Sequence, residues 1–223
     1  MSTNYNILLK SEKKLKGLII NYLSLVYEIH NKLWNDVDKY IDDDHKGIIF
    51  DNAERRLKRS LTMEEELLDE CIWTISKDDP RANHLRFIIS IIYSAKDLSR
   101  SCEYAQSIAK IFVRNALDKN VLKELKPITK LYLEYIQQIT KIYESNSQNK
   151  LDKFDEMNND FEIKFEKLQK ECRKYFSNDE IIQHRVSQIN RLIFSTIERL
   201  QSVSTSVLIS KSTTKTIEVK KTK

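Results

Sequence analysis

The stretch Asp69 to Lys110, DECIWTISKDDPRANHLRFIISIIYSAKDLSRSCEYAQSIAK, decides the fold. From Ile88 its apolar residues fall at Ile88, Ile91, Ala95, Leu98, Cys102, Ala105, Ala109 and Phe112, alternating steps of three and four. That rhythm is one face of an α-helix, since side chains three and four apart stack on the same side. Ala95, Cys102 and Ala105 are small, which permits close approach of a neighbouring helix. Upstream, Lys77-Asp78-Asp79-Pro80 ends a preceding helix, because the residue before proline is driven out of the helical region.

Reading outward, the same periodicity gives six helices. The first runs from about Tyr5 to Ile41, with Leu15, Ile19, Tyr22, Val26, Ile29 and Leu33 on its stripe. The second covers about Ile48 to Ser76 and the third about Arg81 to Asn115. Ala116 to Lys126 reads as a connection, with Pro127 in the first turn of a fourth helix, where its missing N–H costs nothing. The fifth spans about Leu151 to Phe176, and the sixth about Asp179 to Ile209, with Ser177 or Asn178 as its expected N-cap. Only two Gly and two Pro occur in 223 residues, too few for the tight turns of a sheet protein. The expected fold is all-α: two tandem antiparallel three-helix bundles over residues 1–118 and 119–210. A disordered Lys-rich tail is expected over 211–223.

Composition narrows the function. The net charge of +5 is almost wholly the tail's, which holds five lysines and one glutamate; the 33 basic and 32 acidic residues before it nearly balance. Nucleic-acid binding is therefore not expected of the body of the chain, and the tail reads as solubilising. Cys71, Cys102 and Cys172 are odd in number and far apart, so a disulfide framework or zinc knuckle is not indicated. His30, His45, His84 and His184 are scattered, no glycine loop could cradle a phosphate, and no nucleophile elbow occurs. The chain is expected not to be an enzyme. With no secretory pattern and no apolar run near the roughly 20 residues a span needs, it is expected to be cytoplasmic.

The decisive stretch also resembles the signature of PhoU-type regulators of phosphate transport. Pro80-Arg81-Ala82-Asn83-His84-Leu85-Arg86 fits that family's P-V-A-x-D-L-R, with His84 at the aspartate. Asp97-Leu98-Ser99-Arg100-Ser101-Cys102-Glu103-Tyr104-Ala105 fits its D-L-E-R-I-G-D-x-A in the same register. A second copy is similar over Ile197-Glu198-Arg199-Leu200-Gln201-Ser202, Glu198 lying 99 positions after Ser99.

The resemblance implies a regulator that binds the ATPase subunit of a phosphate ABC transporter and, where one exists, a sensor histidine kinase. It also implies a homodimer, with membrane association only through the transporter. It further implies a divalent or iron-type metal held by an E/D-x-x-x-D motif in each repeat. Carboxylates four apart share a helix face, so they can share a cation. This chain departs from the motif: the pairs are Ser99/Glu103 and Glu198/Ser202, and Cys102 and Gln201 stand at the family's glycines. Glu103 and Glu198 remain as metal candidates, with Glu162 near the acidic position of the fifth helix. On the second helix an ungapped register places Leu61 there, and a one-heptad shift would bring Glu54. Arg86, Asp97, Arg100 and Arg199 are the expected partner-binding residues, some of them also forming salt bridges within the bundle. The alternative is a metal-binding or scaffolding bundle without a phosphate role.

Overall fold

A computed structural model describes residues 5–115, 117–144 and 150–220 of the chain. Six helices follow one another: α1 (Tyr5–Tyr40), α2 (Gly47–Asp78), α3 (Asn83–Arg114), α4 (Lys119–Glu144), α5 (Lys150–Tyr175) and α6 (Glu180–Lys220). The first three pack on one another, as do the last three. Charged pairs mark the antiparallel register of α1 and α2. Lys14 meets Glu70 at 2.6 Å, Glu28 meets Arg59 at 3.2 Å, and Asp36 meets Arg56 at 2.7 Å, so the numbers rise on one helix as they fall on the other.

The two three-helix units lie side by side and share one continuous core, joined by α3 against α6 and by α1 against α4. The α3–α6 contact is the most extensive between any two helices. It is close because α3 is buried on most of its circumference by small residues: Ser94, Ala95, Ser99, Ser101, Cys102, Ala105 and Ala109. Buried hydroxyls need partners, and here the helix supplies them. Ser90 donates to the Phe87 carbonyl at 2.6 Å, Ser94 to that of Ser90 at 2.7 Å, and Ser101 to that of Asp97 at 2.9 Å. Thr196 on α6 does the same to Leu192 at 2.9 Å. These side chains thereby behave as small, internally satisfied packing units.

At the α1–α3–α4 junction the buried polar groups form a directed chain. The Ser101 carbonyl can only accept, so His30 donates to it through Nε2 at 3.0 Å. Nδ1 is then an acceptor, and takes the Tyr132 hydroxyl proton at 3.3 Å. The Trp34 indole N–H completes the chain by donating to the Tyr132 oxygen. Edge-on ring contacts, Trp34 to Phe112 at 5.7 Å and His30 to Tyr132 at 5.6 Å, fill the space around it. The core of the second unit is instead a line of aromatic rings: Tyr135 to Phe161 at 4.6 Å, Phe161 to Phe165 at 5.4 Å, and Phe165 to Phe194 at 5.6 Å.

Three sequence expectations are corrected. The fourth helix starts at Lys119, so Pro127 lies inside it. Asp118 is the cap, its carboxylate accepting from the Asn120 and Val121 N–H groups at 3.0 and 3.1 Å. The buried run Leu117, Val121, Leu122 and Leu125 anchors the turns before the proline and outweighs its lost hydrogen bond. The sixth helix is capped by Asp179, not Ser177 or Asn178, its carboxylate accepting from the Ile182 N–H at 2.9 Å. That helix also continues to Lys220, since no Gly or Pro interrupts it, where a disordered tail was expected from 211. The side chains beyond Val207 and residues 221–223 lie outside the described residues.

His30 is fully buried, and burial pushes its imidazole down to about 4, with the Ser101 hydrogen bond opposing. An exposed histidine titrates near 6.5. The neutral form therefore contributes stability above about pH 6.5, and this is lost as the pH falls towards 4. His30→Asn is expected to cost about 2–4 kcal/mol at pH 7.5, from an imperfectly filled site and unmatched partners. Urea unfolding at several pH values should show that penalty shrinking as the pH approaches 4. A penalty independent of pH would refute the neutral-histidine assignment.

Candidate functional site

The signature helices α3 and α6 carry the motif and partner-binding candidates, with Glu162 on α5 and Leu61 and Glu54 on α2 as the exceptions, and their packing sorts those residues into three groups. The first is buried and neutral. Ser99, at the first motif position, is 3% exposed. It lies in a polar cluster where α1, α2 and α3 meet. The Tyr22 hydroxyl lies 3.0 Å from the Ser60 carbonyl and 2.9 Å from its hydroxyl. Ser99 also hydrogen-bonds Tyr22, and Cys102 hydrogen-bonds Ser60. Burial raises the Tyr22 phenol, with Ser60 and Ser99 opposing. Burial likewise pushes the Cys102 thiol up to about 12, Ser60 opposing and Glu103 and Glu64 adding to the rise. Cys71 is pushed up to about 12 and Cys172 to about 11, also by burial. None of the three is poised as a thiolate nucleophile.

A counterpart lies in the second unit. Tyr135 on α4 donates to the Asn158 side-chain carbonyl on α5 and hydrogen-bonds Gln201 on α6. Gln201 stands 99 positions after Cys102, the same offset as Glu198 from Ser99. Each unit therefore holds a tyrosine of its first helix against neutral polar groups of its other two. Tyr22 was legible as a core residue, but its hydroxyl partners on α2 and α3 were not, because serine is common on exposed helix faces.

The second group is paired across helices. Arg199 on α6 donates to Asp97 on α3 at 3.0 Å, and Asp97 is only 18% exposed. Hydrogen bonds to Tyr104 and Asp97 hold the Arg199 guanidinium above its usual range. Asp97 and Arg199, expected at a partner surface, thus tie the two units together. The third group is exposed. Arg86 is exposed on α3 with no ion-pair partner among the described residues, and Arg100 pairs with Glu103 one turn on, at 2.9 Å.

The metal expectation fails on the donor set. Glu103 is engaged by Arg100, and Glu198 is exposed. Glu162 faces a separate surface groove of about 620 Å³ between α5 and α6, beside Glu166, Arg173 and Arg191. Leu61 is exposed, and Glu54 lies 4.0 Å from Lys58 on its own helix. Among the described residues no three His, Cys, Asp or Glu side chains come together as metal ligands. The residues present do not fit the carboxylate-bound metal that the resemblance implied, because serine replaces one carboxylate in each motif. The histidines do not compensate: His30 is buried in its hydrogen-bonded chain, His84 lies 2.5 Å from Glu12, and His45 pairs with Asp43 at 3.1 Å in a surface turn.

These features define an all-α protein of two repeated three-helix units, with neutral polar clusters inside and most ionic groups outside, Asp78 being buried against Ser11. Residues 35–112 match the family model of the PhoU domain. The crystal structure of PhoU from Pseudomonas aeruginosa superposes with a TM-score of 0.72 over 94% of this chain and 99% of that one, at 18% identity, a likeness of fold. Two curated relatives are known only as uncharacterized proteins. The "Uncharacterized protein MG409 homolog" of Mycoplasma pneumoniae is 37% identical over 142 residues, 61% of each chain. The "Uncharacterized protein MG409" of Mycoplasma genitalium is 37% identical over 128 residues, 53% of this chain and 52% of its own. The chain thus spans between half and three fifths of the length of these relatives.

Ser99→Asp, which restores the carboxylate of the family motif, is expected to destabilise the fold by about 2–4 kcal/mol, since it buries a charge beside Tyr22. Added manganese, zinc or ferrous iron should leave the melting temperature of the unaltered protein unchanged. A saturable, metal-dependent rise in Tm would contradict the neutral reading of these clusters.

Proposed function

We propose that this chain is a negative regulator of phosphate uptake and phosphate homeostasis that acts in the cytoplasm by binding the ATPase subunit of a phosphate ABC transporter. A sensor histidine kinase is a further partner where a cell has one. The observation that carries the reading is the match of residues 35–112 to the PhoU domain, together with the signature stretch that keeps its register from Pro80 to Ala109. The site's chemistry supports binding over catalysis. Its thiols are buried with raised pKa values, and its buried histidine is held neutral. Among the described residues no helix is long and apolar enough to cross a membrane. Regulation needs no covalent step: a protein that binds one transporter state more tightly than another shifts the population towards it. The reading needs no metal, and the neutral clusters are consistent with a regulator that works without one.

The test is binding of the purified protein to the ATPase subunit of the phosphate importer from the same cell, by calorimetry with and without ATP. The expected result is saturable binding in the micromolar range or tighter, with an affinity that changes with nucleotide. No binding to a folded, ATP-hydrolysing subunit would overturn this reading and leave a scaffolding bundle.

A further inference from the structure

Helix α3 is buried on most sides, yet one stripe of it faces outward along its whole length. The residues are Arg86, Ile89, Tyr93, Lys96, Arg100, Glu103, Ser107, Lys110 and Arg114, spaced by three and four without a break. All are exposed except Glu103 and Ser107, which are half-buried. Five are cationic and one is acidic. Arg100 is engaged by Glu103, whereas Arg86, Lys96, Lys110 and Arg114 have no ion-pair partner among the described residues. Ile89 and Tyr93, one turn apart, are 40% and 69% exposed, an apolar step between Arg86 and Lys96. The two residues of α3 that could have neutralised or widened this ridge are occupied elsewhere: Asp97 and Tyr104 are turned to Arg199 on α6.

A seam of alternating three- and four-residue spacing is the surface that one helix offers to another. The geometry points to the α3 ridge as a docking surface for an acidic amphipathic helix of a partner protein. Such a helix would lay carboxylates against Arg86, Lys96, Arg100 and Lys110, and an apolar pair over Ile89 and Tyr93. Charge decides the occupant. The body of the chain is close to neutral, so the ridge is a local excess and not a reflection of overall charge. Its neighbour α2 carries Glu64, Glu65, Glu66, Asp69 and Glu70. Of these, Glu66, Asp69 and Glu70 line a groove with Lys14 and Leu18 of α1, and a broad polyanion, such as an anionic membrane or duplex DNA, that spread from α3 over α2 would meet like charge. A single helix, about 10 Å across, can lie on the ridge alone. The stripe extends roughly 40 Å, room for seven turns of a partner helix. This rests on the reading that the chain acts by binding a protein, but not on that protein being the transporter ATPase.

The test uses the full chain and a synthetic helical peptide of 21 residues, roughly 30 Å when helical. The peptide has glutamate along a three-four seam and a leucine pair at its centre, and a scrambled peptide of the same composition serves as control. Fluorescence anisotropy is expected to give micromolar binding to the seam peptide and at least tenfold weaker binding to the scrambled one. The double change Arg86→Glu with Arg100→Glu, and separately Tyr93→Ser, should each weaken the seam peptide at least tenfold. All three positions are exposed, so circular dichroism should show an unchanged fold. Binding should also weaken as salt is raised from 50 to 300 mM, the concentrations chosen to bracket physiological screening. Equal binding of the two peptides, no binding of either, or no effect of the charge reversal would overturn the proposal. So would tighter binding of phosphatidylglycerol vesicles or duplex DNA through the same residues, or a stable dimer of the chain that the charge reversal dissociates. No transporter subunit enters this experiment, so failure here leaves the phosphate reading standing, and failure of that reading leaves this result intact.

Discussion

Helix α3 has to pack against α1, α2 and α6 at once, and most of the architecture follows from that crowding. A helix with three neighbours at close range cannot carry large side chains on every buried face, because interiors are already packed to crystal density. The chain meets the constraint with alanine, serine and cysteine between the larger Phe87, Ile88, Ile91, Leu98, Ile108 and Phe112. Serine is tolerated there because Ser90, Ser94 and Ser101 return their protons to their own helix. The Ser101 carbonyl, in turn, remains available to His30, and so links α3 through Tyr132 to the second unit.

The same crowding accounts for what became of the signature motif. Position 99 faces inward against Tyr22, where an ionised side chain would have to be desolvated without a cation to offset the cost. A serine there is satisfied within a neutral cluster and stabilises the contact between α1, α2 and α3. In the second unit the retained carboxylate, Glu198, faces outward, and Gln201 takes the inward polar role towards Tyr135. In the first motif the neutral half, Ser99, is thus buried and the charged half, Glu103, is held by Arg100; in the second, Glu198 and Ser202 are both exposed.

Much of this was legible in the sequence. The three-four rhythm from Ile88 to Phe112 fixes a buried helix, and the scarcity of Gly and Pro fixes the class. The repeat offset from Ser99 to Glu198 places the second signature helix. Pro127 misled because proline is at home in a first turn; the earlier apolar run of Val121, Leu122 and Leu125, with Asp118 before it, was the stronger signal. The salt bridge from Asp97 to Arg199 joins residues 102 apart, and no local pattern encodes such a pairing. The exposed ridge was only half visible: Arg86 and Arg100 drew attention as charges. That Ile89 and Tyr93 face solvent became apparent only once the neighbours of α3 had been placed.

The central claim is that the chain restrains phosphate uptake through contacts of an exposed surface and not through chemistry. The most direct measurement is the initial rate of radiolabelled phosphate uptake by phosphate-replete cells lacking the protein, then supplied with the natural chain or with the Arg86→Glu, Arg100→Glu form. The account predicts faster uptake on loss of the protein and restraint restored by the natural chain; the charge-reversed chain reports separately on whether the α3 ridge makes that contact. Uptake that is the same with and without the protein would contradict it.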